Sequence, residues 1–560
     1  MLSRTDARKA ITGETFDVVV VGGGVTGAGV ALDAASRGYT VAIVERNDWA
    51  CGTSSRSSKM VHGGLRYLQN FDLGLVREAL LERQLMVQLA PHLVYPTPFL
   101  VPSLGDEKRD RLLGIGLNMY DVMATTRVGQ SRRDRVARAE AGDFWAPDRH
   151  RTVSGEEATE LIPALGSRAP REAYLFYDCQ TDDARLVLTI LGEAERFGGV
   201  PLNGTEVVDL IEDRGLAAGV VCVDRESDER FEVRAANVVN ATGVWADRIR
   251  PDEIHDAAEI PRISPSRGTH VTVSFDDLPV TGAACVVPAG QDRRIFALPW
   301  YGRTLIGTTD RDYDGDIDHV EPSGEDIDYL LAAANAFFGV DLDRSKLTGA
   351  YAGVRPLIST GDPHKSVDIS RKAELYETSS GLLTITGGKL TTWRRMAKHV
   401  VDRMVEREGR EAPCKTAELP LGMPADEADL QAPPGIDGAL PDGLEKLLAF
   451  RYGHAARNVM RVVGERPELG KPIVEGMPDL LAEAAIAARY EQARSVADVL
   501  LRRTRLGLLA APQLRTAEDV TPVAEAMATE LDWDAARIAT EADRWVADAA
   551  AEGIDPAASA

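Results

Sequence analysis

Phe16–Glu45 reads FDVVVVGGGVTGAGVALDAASRGYTVAIVE. Val18 to Val21 are four β-branched residues in a row, the pattern of a strand buried on both faces. Gly22-x-Gly24-x-x-Gly27 follows, then an Ala-rich helical stretch, a stop at Gly38, a second strand from Thr40 to Val44, and an acid, Glu45. This order is a complete βαβ unit with a dinucleotide fingerprint. Gly22 permits the tight turn, Gly24 lets the backbone approach a pyrophosphate, and Gly27 lets helix and strand pack closely. The helix N-terminus offers unpaired N–H groups and a positive dipole end to phosphates. Glu45 is placed to accept from ribose hydroxyls, and its charge disfavours a 2′-phosphate, so NADP is the poorest ligand. A bare GxGxxG is often only a Gly-rich turn; here the flanking strands and the terminal acid all agree.

At 560 residues the chain exceeds a single core, and two to four domains are expected. The formal net charge is −23 and 44% of residues are apolar. This balance argues against a nucleic-acid partner, which needs a basic face, and against simple electrostatic adhesion to anionic lipid. An anionic substrate would have to be met by a local basic cluster. Cys51, Cys179, Cys222, Cys285 and Cys414 are scattered and form no CxxC, as expected of reduced thiols in a cytosolic protein. No metal site is expected. The start, MLSRTDARKAITGETF, has no apolar core of a signal peptide. No run approaches the ~20 apolar residues of a membrane span. The expected location is therefore cytoplasmic, with any membrane contact peripheral.

The expected fold class is α/β: a Rossmann-like dinucleotide-binding domain carrying an inserted β-rich domain, followed by an all-α C-terminal domain. Residues 1–420 form the nucleotide-binding region with its insertion. Its nucleotide segments are about 16–105, 180–261 and 347–411, and its cap segments about 106–179 and 262–346. Residues 412–443, with Pro413, Pro420, Pro424, Pro433, Pro434 and Pro441, mark a linker. Residues 444–560 carry apolar residues at helical spacing. Thr521-Pro522 reads as an N-cap and first-turn proline. Arg502, Arg503 and Arg505 read most simply as a solvated helix face.

Four segments converge on the nucleotide in this reading. The fingerprint is one. The second is GTSSRSSKMVHGGLRYL, in which Thr53, Ser54, Ser58, His62, Gly63 and Gly64 offer hydroxyls and open backbone to a flat ring, where a mobile surface loop is the plainer alternative. The third is ATGVWAD, with Ala241 and Gly243 at a strand end. The fourth is TGGKLTTWRR, with Gly388, Lys389, Leu390, Thr391 and Thr392 at a helix start that could face a flavin's pyrimidine edge. Glycine-marked strand ends spread over about 370 residues fit the longer FAD better than NAD, whose enzymes need only the βαβ half plus a catalytic domain.

VVVVGGGVTGAGVALDAASRG, TSSRSSKMVHGGLRYL, YDCQTDDARLVL, NATGVWAD, RGTH, LPWYGRTLIGTTD, YAGVRPL and TGGKLTTWRRMA run in order from residue 18 to about 397. Together they resemble the FAD-dependent, aerobic-type glycerol-3-phosphate dehydrogenase family, within the D-amino-acid-oxidase-like flavoprotein superfamily. The tail around VADVLLRRTRLGLL looks like that family's helical domain. The resemblance implies oxidation of sn-glycerol 3-phosphate to dihydroxyacetone phosphate. The C2 hydride passes to flavin N5, the hydroxyl proton is removed, and electrons leave to a quinone. It implies non-covalent FAD, a homodimer, and peripheral attachment to the inner face of the membrane. It places substrate-binding roles on Arg66, Tyr67, Arg355 and Lys389, and catalytic roles on His270, Arg355 and Lys389. The residue types agree in kind. Arginines suit phosphate, and His270 has an ordinary pKa near ~6.5, close to the working range of a base. Arg355 stays charged and suits anion stabilisation, while Lys389 fits either role. Rival readings are an oxygen-using glycerol-3-phosphate oxidase, an amine or amino-acid oxidase on the same fold, and a flavin-bound scaffold without turnover.

Overall fold

The computed structural model describes residues 3–65, 72–105, 111–125, 148–251, 257–290, 293–359, 373–430 and 440–559. Phe16–Val21 is the strand its valines predict. It pairs in parallel with Val41–Val44 on one side and Arg230–Asn240 on the other. Val200–Leu202 and Leu383–Gly387 extend the parallel sheet outward. An antiparallel strand, Ala373–Glu377, closes one edge, and the hairpin Thr205–Asp213/Leu216–Asp224 pairs with Arg230–Asn240. Alternate valines feed opposite cores, Val18 and Val20 one and Val19 and Val21 the other. That two-sided burial is why the run shows no polar alternation. The helices Val25–Ser36, Asp183–Arg196 and Trp393–Glu408 cover the Val18/Val20 face.

A second, ten-stranded sheet is built around Ile263–Ser274, which pairs antiparallel with Leu347–Ile358 and Arg303–Gly307. It also contains Met60–Val61, Tyr95–Ser103 and Glu172–Gln180. These last strands alternate weakly and carry Pro96, Pro98 and Pro102, so the sequence pattern conceals them. Tyr95–Ser103 and Leu347–Ile358 thus belong to the second sheet although they fall in segments read as nucleotide-binding. The two sheets meet where chain segments leave the carboxyl ends of the first, which is where ligands bind in open α/β folds.

The C-terminal part is helical, with Leu444–Tyr452, Ala456–Glu465, Leu481–Tyr490, Ala517–Leu531 and Ala535–Ala551. Its core, including Leu448, Met527 and Trp545, is continuous with Leu298, Trp300 and Tyr351 of the second sheet. Two expectations fail here. The N-cap is Thr516, whose side chain accepts from Asp519 N, and Pro522 lies inside the helix. There Thr521 Oγ1 donates to Ala517 O. The arginine cluster is not a solvated face: Arg502, Arg503 and Arg505 are buried. Arg503 donates to both Asp48 oxygens at 2.7 and 2.8 Å, and Arg502 Nε reaches Asp48 at 2.5 Å. Arg505 reaches Asp182 at 2.6 Å. Asp48 and Asp182 lie more than 300 residues away in sequence, so local charge spacing could not reveal them.

Candidate active site

The fingerprint turn leads straight into a helix N-terminus. Gly22 has φ +110°, and a Cβ there would lie 2.7 Å from Ala241 O. A Cβ on Gly27 would lie 1.9 Å from Gly22 O, so neither position admits a side chain. Val25 N at the first turn donates to Ser54 Oγ at 2.9 Å. The Glu45 carboxylate accepts from Gly23 N at 2.7 Å and Asn47 N at 2.8 Å. Burial pushes its pKa upward against those two hydrogen bonds. A cleft of about 330 Å³ opens beside this turn, lined by Gly22, Gly24, Glu45, Thr53, Ser54, Ala241, Gly243, Gly388 and Leu390. The segments predicted to converge do so. A glycine cradle that a Cβ would fill, facing a cleft that Glu45 also lines, fits a dinucleotide.

A second cavity, about 210 Å³, shares Thr53, Ser57, Gly387, Gly388, Lys389 and Leu390 with the first. Ser58, His62, His270, Arg355 and Thr391 also line it. His270 projects from Ile263–Ser274, and Arg355 from the adjacent Leu347–Ile358. The Arg355 guanidinium is steadied by Asp310 Oδ1 at 3.1 Å, Thr309 O at 3.2 Å and Thr308 Oγ1 at 3.3 Å. Gly268 makes room for it, since a Cβ there would come within 2.6 Å of Arg355 Nη2. Gly307 does the same for His270, with a distance of 2.2 Å to Cδ2. His270 Nε2 lies 2.8 Å from Ser58 Oγ, and its ring stacks on Tyr351 with centroids 4.7 Å apart. Burial, then the positive charges of Lys59 and Arg355, hold its pKa well below the ordinary histidine value. The imidazole is therefore neutral and able to accept a proton. Lys389 precedes the turn Leu390–Thr392, and its Nζ is buried.

Thr391 Oγ1 donates to His62 O and accepts from His62 N, both at 3.2 Å, joining the second and fourth segments. Thr392 is buried at the start of the Trp393–Glu408 helix. Gly63 N donates to Tyr120 Oη at 2.9 Å, and Gly64 has φ +78°. Arg66 and Tyr67 lie outside the described residues. The sequence gives no role to Lys59, Asp183 or Tyr351, although all three stand inside quoted segments. The signal was there in SSK and TDDAR: ionisable residues embedded between small or apolar neighbours.

Residues 17–403 match the family profile described as FAD dependent oxidoreductase. Residues 383–538 match the C-terminal domain of alpha-glycerophosphate oxidase. Glycerol-3-phosphate dehydrogenase 2 of Mycobacterium tuberculosis (strain ATCC 25618 / H37Rv) is 37% identical, covering 99% of this chain and 91% of that protein. The chain belongs to the FAD-dependent glycerol-3-phosphate dehydrogenase family. Aerobic glycerol-3-phosphate dehydrogenase of Bacillus subtilis (strain 168) is 34% identical over 94% of this chain and 93% of its own length. The crystal structure of the glycerol-3-phosphate dehydrogenase from Bacillus halodurans complexed with FAD superimposes with a TM-score of 0.76 at 28% identity, covering 98% of this chain and 97% of that one. FAD is the cofactor of this dehydrogenase family, and the cleft beside Gly22 has the cradle for it.

Proposed function

We propose that the chain oxidises sn-glycerol 3-phosphate to dihydroxyacetone phosphate and delivers the electrons to a quinone. The observation that carries this reading is the second cavity, where Arg355, Lys389 and a neutral His270 share one space that joins the nucleotide cleft. A dianionic phosphate in a chain of net charge −23 needs convergent cations. Arg355 and Lys389 are the cations of this cavity, and Arg66 is the third that the family resemblance assigns. Arginine binds phosphate as a planar fork, and the enclosure strengthens the contact by excluding water. His270 takes the C2 hydroxyl proton, which leaves the oxygen anionic as the hydride departs. Arg355 stabilises that developing charge. Gly22, Gly24, Gly27, Glu45, Thr53, Ser54, Ser58, His62, Gly63, Gly64, Ala241, Gly243, Gly388, Leu390, Thr391 and Thr392 would hold FAD, which would supply the two-electron acceptor for the C2 hydride.

Non-covalent FAD, a homodimer and peripheral contact with the cytoplasmic face of the membrane complete the reading. No helix among the described residues is long and apolar enough to cross a membrane. The relatives' names support the substrate, and the oxidase name of the matched C-terminal profile keeps oxygen in view as acceptor. The test is a screen of purified protein against glycerol 3-phosphate, glycerol and glycine, with a quinone analogue or oxygen as acceptor. Glycerol 3-phosphate with quinone should give the highest rate. Preferential glycine oxidation would overturn the substrate, and stoichiometric hydrogen peroxide would overturn the acceptor.

A further inference from the structure

The loop Ser55–Lys59 carries Ser58 to His270 and lines the substrate cavity. Its own anchorage comes from elsewhere in the chain. Lys59 is fully buried, with φ +59°, outside the comfortable range of a side-chain-bearing residue. Its Nζ donates to Ser55 O at 2.6 Å and to Asp183 Oδ2 and Oδ1 at 2.9 and 3.1 Å. Asp183 also accepts from Ser57 Oγ at 2.6 Å and Ser57 N at 3.1 Å. Arg505, from the helical domain, reaches both Asp182 and Asp183, and its Nη1 lies 3.4 Å from Ser55 O. Arg505 too has positive φ, +68°. Tyr351 ties the loop to the second sheet, donating from its hydroxyl to Ser57 O at 2.8 Å. The Tyr351 ring is shared: His270 stacks on it with planes 11° apart, and Lys59 Nζ lies 4.7 Å from its centroid.

We propose that Lys59, locked by Asp183 and by Arg505 of the helical domain, is a positioning residue for the proton acceptor, fixing Ser58 on His270 Nε2 and setting a buried cation beside the Tyr351–His270 stack. This role rests on the reading of His270 as the base. Lys59 and Arg355 bear directly on the imidazole, with Asp183 and Arg505 behind Lys59 and with Lys389 and His62 on the same cavity; Ser58 and Tyr351 are its uncharged neighbours. With Lys59 neutralised, the Asp183 carboxylate loses one of its two cations and the imidazole loses a repelling charge. Both changes favour imidazolium. A lysine with a purely structural role would change stability and leave the histidine titration where it was.

The test compares flavin-loaded wild type, Lys59→Met, Lys59→Arg and Arg505→Gln. Histidine-labelled protein is titrated by NMR, with the His270 signal assigned from His270→Gln. In Lys59→Met the His270 midpoint should rise by about one unit or more, the usual scale for a nearby charge. The acid limb of kcat/KM should rise with it, and kcat should fall by a larger factor than KM changes. Lys59→Arg should bring the titration back toward wild type. Arg505→Gln, which removes the other cation on Asp183 and keeps a donor, should shift it in the same direction as Lys59→Met but less, and serves as the readout if Lys59→Met does not fold. Unmoved His270 titrations in the variants that fold, with only the melting temperature lowered, would overturn the proposal. Wild type that titrates as described but fails to oxidise glycerol 3-phosphate would sink the functional reading instead, so the two failures are distinguishable.

Discussion

Asp48→Asn tests whether the arginine cluster is a buried ionic joint between the helical domain and the nucleotide domain. Asp48 is buried and faces two guanidiniums, Arg503 through a bidentate pair and Arg502 through Nε. Asparagine keeps the shape and one acceptor but removes the charge, leaving two buried cations near a new amide donor. Each arginine keeps a second carboxylate, Asp498 for Arg502 at 2.6 Å and Glu491 for Arg503 at 3.0 Å. Breaking a buried pair costs about 3–5 kcal/mol, and the surviving partners place this case at the low end, about 3 kcal/mol. That is roughly a 150-fold loss in the folding equilibrium. Burial alone would raise the Asp48 pKa, but Arg503 and Arg502 outweigh it and hold the carboxyl below its ordinary value. A carboxyl held low stabilises the fold above its unfolded pKa of about 3.9 and loses that contribution as pH falls through the folded value. The gap between wild type and variant should therefore be full at neutral pH and close in acid. Urea unfolding followed by tryptophan fluorescence reads it as a lower midpoint at unchanged slope. A loss below about 1 kcal/mol, the scale of exposed pairs, would refute the buried joint.

Arg355→Ala should lower kcat/KM for glycerol 3-phosphate by an amount equivalent to about 2–5 kcal/mol, the cost of unpairing a desolvated ion pair; steady-state kinetics with an unchanged value would remove the anion clamp. Gly307→Ala puts a Cβ where it would lie 2.2 Å from His270 Cδ2. The displaced ring should cost roughly 10²-fold in the rate of flavin reduction, read by stopped-flow, and wild-type rates would show that the ring has room to move. His270 is held well below the ordinary histidine pKa, and the acting form is the neutral one, so activity is lost only as pH falls through that depressed value. The acid limb of kcat/KM should then lie below about 6.5, and a limb at or above it would contradict the burial argument.

The βαβ unit was legible because each of its parts has a local cause: valines buried on both faces, glycines required by approaches of 1.9 and 2.7 Å, and an acid at the strand end. His270, Arg355 and Lys389 line one cavity. Arg66 and Tyr67 lie outside the described residues. What escaped the sequence was governed by distant partners. Arg502, Arg503 and Arg505 look solvated on their own helix because Asp48, Asp182 and Asp183 arrive from another domain. Lys59 looks like a polar loop residue until Asp183 and Tyr351 enclose it. Thr516 outranked Thr521 as cap because Asp519, three residues on, completes the reciprocal pair, whereas the residue three after Thr521 is Ala524, with no side-chain acceptor.

One flavin and one phosphorylated alcohol are proposed to fill the two joined cavities. Anaerobic addition of glycerol 3-phosphate to the purified, FAD-loaded protein, with the visible flavin band recorded, decides it. The band should bleach to the two-electron-reduced spectrum with saturable dependence on glycerol 3-phosphate. A band that keeps its full height at saturating substrate would contradict it.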